Sequence, residues 1–162
     1  MQRRQFVLSL PAIAAAPSMF LSQPLWAHHG WSSFDETRPL YLAGKATRVR
    51  WQNPHAELVL DVSKPLAVPA SLKSRLAPRQ SATVDAPAIF AKAVVPTRSD
   101  ARWTIELSPL TRLQAWSVAE ISEGDMLELV GYTFAGEKGE AILRVEFLIR
   151  GEVVTPLRSS PA

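Results

Sequence analysis

The 162-residue chain contains no cysteine. A disulfide framework, a thiolate metal site and a thiol nucleophile are therefore all excluded, and the absence suits an oxidising compartment. Long hydrophobic runs are missing too. No uninterrupted stretch reaches the roughly 18 apolar residues of a membrane span, so no integral membrane segment is expected once a leader is removed. Charge of one sign is scarce. Setting leader residues Arg3 and Arg4 aside from the 18 basic residues leaves 16 against 15 acidic. A nearly neutral chain is not expected to bind nucleic acid. There is no G-x-S-x-G and no glycine-rich phosphate loop, and the acidic residues form no obvious pair. Histidine is limited to three positions, His28, His29 and His55.

The N-terminus carries a leader pattern. Arg3-Arg4 precede the apolar pieces Phe6 to Leu10, Ala12 to Ala16 and Met19 to Leu21, interrupted by Pro11, Pro17 and Pro24. A charged start, a short apolar middle and a small residue before a polar segment predict a signal peptide over residues 1–27, cut after Ala27. Arg3-Arg4 followed by Gln5-Phe6-Val7 is similar to a twin-arginine export motif, with an ordinary Sec leader as the alternative. Either route makes the protein periplasmic, with His28 as its first working residue. A leader left uncut as an anchor is the third possibility.

Residues 28–39 read as an extended arm, with Trp31 and Phe34 as apolar points that could dock on the body. A single domain is expected over residues 40–156. Its first strand, Leu40 to Trp51, changes apolar phase after Ala46, which predicts a bulge and a bend. Gln52-Asn53-Pro54-His55 reads as a turn. Leu58, Leu60 and Val62 alternate as a second strand. From Ser63 to Ala101 periodicity collapses among five prolines; this long insertion is either mobile or carries one short apolar piece, Ala88 to Val95. Trp103, Ile105 and Leu107 mark a third strand. Ser108 and Pro109 read as the N-cap and first residue of a helix with a Leu110, Leu113, Trp116 stripe. Ser117 to Ile121 reads as a further helical turn with capping-box spacing. Two more strands are expected, Met126 to Phe134 and Glu140 to Ile149, joined by Ala135 to Gly139. A short return ends near Pro156, and residues 157–162 are expected to fray. Five strands with a helix between the third and fourth is the order of a small OB-like β-barrel, with a β-sandwich as the alternative.

Several of these residues also carry a resemblance: His28-His29-Gly30 after the leader, Phe34-Asp35, Leu42 to Ala46 leading to Val49-Arg50-Trp51, Asn53-Pro54-His55, Trp103, Leu113 to Trp116, Gly124-Asp125 and Gly131. With them the chain resembles DUF6152, a family of small exported bacterial proteins of unknown function. Members usually have Ser where Gly30 stands and connect the second and third strands briefly, where this chain inserts Ser63 to Ala101. The resemblance implies a fold and a compartment but no activity.

The chemistry open to the residues is metal binding. With Ala27 removed, His28 offers an α-amine and a ring nitrogen, a chelate suited to Cu(II). His29 adds a ring, and His55 could close a set similar to the histidine brace of copper enzymes if the arm folds back. Zinc is an alternative metal, and a metal-free tail is another reading. Asp35 and Glu36 are read as a local cap or solvated charges rather than oxygen ligands. Three functions stay open: a periplasmic protein binding copper through His28, His29 and His55; a metal-free interaction module docking on a periplasmic protein partner; and a copper redox enzyme. Trp51, Trp103 and Trp116 are expected in the core.

Overall fold

A computed structural model describes residues 30–162. β1 (Leu40–Arg50) is long, bent and shared by two neighbours. It pairs antiparallel with β2 (Glu57–Val62) and with β4 (Met126–Tyr132). β2 pairs with β3 (Arg102–Glu106), β4 with β5 (Ile142–Arg150), and β5 with the short β6 (Val153–Pro156). A parallel pairing of β3 with β5 closes the ring in the order β1-β2-β3-β5-β4, leaving β6 as an extra strand outside it. This is the mainly β, OB-like five-stranded barrel expected from the alternation, and the closure rules out the sandwich. Among the described residues no helix is long and apolar enough to cross a membrane.

The bends needed for closure are visible at two irregularities. Register between β1 and β2 shifts between Thr47 and Arg50, and Arg48 there has φ 47°. This is the bulge expected from the phase switch, and it returns Val49 and Trp51 to the interior. A second shift lies between Val130 and Gly131. Glycine is required beside it: a Cβ on Gly131 would lie 2.2 Å from the Arg144 carbonyl oxygen. The backbones of β4 and β5 approach too closely there for any side chain.

Three apolar clusters hold the fold. The barrel interior contains Leu40, Leu42, Leu58, Leu60, Trp103, Ile105, Leu129, Leu143 and Val145. α2 (Leu110–Ala115) caps it through Leu113, with Leu110 packed alongside. The second cluster lies outside the barrel. Tyr41, Val130, Phe147, Ile149 and Val154 face outward and are covered by Leu72, Phe90 and Ala93 of the insertion. The insertion thus brings its own structure, a 3₁₀ turn at Ala70–Ser74 and α1 (Ala86–Lys92), the latter overlapping the short apolar piece expected at Ala88 to Val95. The third cluster joins Phe34 of the arm to Tyr132 and Ile142.

Three local expectations are corrected. Ser108 does not cap α2; its hydroxyl donates to the buried Leu157 carbonyl at 2.6 Å, which also accepts from Arg112. The helix does not continue through Ser117, which takes φ 53° and donates its N–H to the Gln114 carbonyl, closing the last turn. Residues 159–162 do not fray: Ser160 and Pro161 lie along Gln80 and Ser81, with the Ser81 N–H donating to the Ser160 carbonyl at 2.9 Å. Unpaired backbone on both segments is satisfied by this bridge.

Candidate functional site

His28 and His29 lie outside the described residues. The third candidate, His55, is half-buried at the end of the β1–β2 turn, where the Asn53–Pro54 peptide is cis. Its position is fixed from both sides. The N–H of Ala56 donates to the Ser108 carbonyl, and the Leu107 N–H donates back to the Ala56 carbonyl. The His55 turn therefore abuts the segment that leads into α2. Among the described residues, no group of three or more histidine or acidic side chains is placed to hold a metal ion.

The arm does dock, as Trp31 and Phe34 suggested. After a 3₁₀ turn at Trp31–Ser33, Phe34 is buried and stacks on Phe134 with ring centroids 5.1 Å apart. Trp31 meets the Tyr132 ring edge-on. Its own ring lies 4.0 Å from the Arg158 guanidinium and 5.2 Å from that of Arg144. These contacts combine apolar burial with cation–π attraction. Asp35 proves to be a cap, accepting from the Thr37 N–H at 3.0 Å and from its hydroxyl. Glu36 pairs with Arg158 at 2.8 Å.

Beside the arm lies a largely buried charged cluster that sequence reading missed. Glu57, Glu106 and Arg144 are adjacent in register across β2, β3 and β5. Arg50 pairs with Glu57, and Arg144 with Glu106 at 2.9 Å. Like charges side by side are tolerable because each carboxylate has its own guanidinium. Two residues along β5, Glu146 is fully buried, with Arg158 on one oxygen at 2.7 Å and no hydrogen-bond partner on the other among the described residues. Burial pushes its pKa up, against the pull of Arg158. Burial and the Glu146 charge also push the Tyr132 phenol up to about 12. The only signal in the sequence was Glu146 itself, a lone acid within the apolar run from Ile142 to Ile149.

Arm, insertion and barrel are locked together at Glu137. Burial alone would raise its pKa. It is outweighed by the Thr97 N–H, the Arg38 guanidinium and the Arg98 N–H, which hold the carboxyl at about 2. A folded-state pKa below the unfolded value gives stability that is present above about 4.5 and lost as pH falls toward 2. Glu137→Gln is expected to lower stability at pH 7 by about 2–3 kcal/mol. In urea titrations between pH 6 and pH 3, wild type should lose stability over that window and the variant much less. Parallel pH profiles would remove Glu137 as the lock.

The fold and this cluster define a class: a small closed β-barrel wrapped by an insertion and an N-terminal arm. The model of DUF6152, described as a family of unknown function, matches residues 18–70. That match spans the arm, β1, the His55 turn and β2, and supports the resemblance carried by those residues. Comparison with curated proteins found no match, and comparison with solved structures found none.

Proposed function

We propose that the chain is exported to the periplasm by a leader cut after Ala27, and that the mature protein binds copper, or another late transition metal, through His28, His29 and His55. The observation that supports this is the place where the arm attaches. The Trp31 ring packs on Arg144, and Arg144, Glu106 and Glu57 are register neighbours on adjacent strands. Glu57 is two residues past His55. Trp31, three residues past His28, is thus anchored on the barrel face that carries the strand leading out of the His55 turn. Nitrogen ligands of this kind suit Cu(II) first and zinc second.

The test uses two preparations of the protein, one beginning at His28 and one with a single extra residue ahead of it. Cu(II) titration by calorimetry and EPR is expected to show binding weakened more than tenfold by the extra residue, and again by His55→Ala. Mass spectrometry of exported protein should find His28 first. Equal, weak binding in every version would favour the metal-free interaction module. That second reading draws on a cavity of about 420 Å³ between Thr37 of the arm, Ile89 and Lys92 of α1, and Tyr132 and Arg158.

A further inference from the structure

Three arginines gather where α2, β5 and the segment after β6 meet, and two of them have acids. Arg144 holds Glu106, and Arg158 is shared by Glu146 and Glu36. Arg112, rising from α2, has no carboxylate partner among the described residues. One of its N–H groups donates to the Leu157 carbonyl at 3.0 Å. A guanidinium has five such donors, and this one is half-buried. Burial and then the neighbouring Arg144 charge push its pKa down, as expected of a cation with too little negative charge around it. The acids in register with Arg144, Glu106 and beyond it Glu57, are already held by Arg144 and Arg50. The fork is also fixed in place, because the Leu157 carbonyl that anchors it is itself held by Ser108. A positioned, half-buried guanidinium beside a second one is complementary to a planar or tetrahedral oxyanion, which accepts two parallel N–H bonds.

We propose that Arg112, with Arg144 beside it, binds a small oxyanion, a carboxylate or a phosphate, taken from solution. The site lies next to the His55 turn, because the Ser108 carbonyl that holds Ala56 and the Pro109 carbonyl that accepts the Arg112 N–H belong to one segment. It does not depend on the metal reading, and it is tested without metal.

Inorganic phosphate and succinate are titrated separately into metal-free protein, with chloride at equal ionic strength as the control for screening. At least one oxyanion is expected to bind saturably at millimolar concentration or below, and chloride is not. The tighter of the two identifies the ligand class. Arg112→Gln should weaken that binding at least tenfold, whereas Arg102→Gln, an exposed arginine paired with Asp61, should leave it unchanged. The Arg112 Nε–H NMR resonance of the unaltered protein should shift with the same dissociation constant, which keeps the test independent of any variant's folding. A resonance that stays put, equal affinity in Arg112→Gln, or no saturable binding of either oxyanion overturns the proposal.

Discussion

Arg158→Met is expected to destabilise the protein by about 3–5 kcal/mol, because it strips the cation from a carboxylate that has no access to water. Glu146 is fully buried, and Arg158 reaches it through two nitrogens at 2.7 and 2.8 Å. The same guanidinium lies on the Trp31 ring and holds Glu36, so the arm loses its attachment together with the ion pair. A methionine fills much of the space and answers none of the charge. Two further measurements separate these effects. In Arg158→Met combined with Glu146→Leu, the orphaned charge is gone, and most of the deficit should be recovered. The pH dependence has a definite sign as well. Burial raises the folded-state pKa of Glu146 above its unfolded value, and without Arg158 it should rise further. The penalty in the single variant is therefore full above that raised pKa and shrinks as pH falls toward about 4.5. Denaturant titrations at pH 8 and pH 5 should show the gap to wild type narrowing. A gap that is constant with pH and survives in the double variant would mean that lost packing, not the stranded charge, causes the deficit.

The barrel was legible because its inner surface obeys a period of two. Leu58 and Leu60 point inward between Glu57 and Asp61, with only Val59 breaking the polar face. Trp103 and Ile105 alternate with Arg102, Thr104 and Glu106, and the phase switch after Ala46 announced the bulge in β1. What could not be read was the second layer. Tyr41, Val130, Phe147 and Ile149 face away from the barrel interior yet are buried. Their partners, Leu72, Phe90 and Ala93, are spread through a segment whose prolines erase any period. A strand such as β5, apolar on both faces over most of its length, does signal a second cover, but it does not say which part of the chain supplies it. The charged cluster was hidden for a different reason. Arg158 lies in a tail without periodicity, and its acids Glu36 and Glu146 are 122 and 12 residues away in sequence. Of the metal candidates, only His55 falls among the described residues, so the histidine set stands as a proposal and not as a geometry.

Phe90→Ala is expected to cost about 3–5 kcal/mol, the upper range for emptying a buried aromatic site. Phe90 is completely buried, and its ring centroid lies 4.7 Å from that of Phe147 on the outer face of β5. α1 has only seven residues, far below the roughly 12–15 at which an isolated helix becomes even marginal in water. Its one side-chain cap, Asp85 accepting from the Ala88 N–H at 3.0 Å, contributes about 1 kcal/mol at most sites. The helix is therefore held by the face it buries, and Phe90 is the largest side chain on that face. Removing the ring should release the insertion before it melts the barrel, since β1 to β5 keep their interior cluster intact. Hydrogen exchange is expected to show lost protection at Ile89, Phe90 and Val94 with little change at Leu58, Leu60 and Ile105. Phe90→Leu, which keeps most of the volume, should cost about 1–1.5 kcal/mol and leave that protection in place. A loss below about 1 kcal/mol in Phe90→Ala would show the insertion to be a passive covering, and the outer cluster would then contribute little to holding the arm's binding surface in shape.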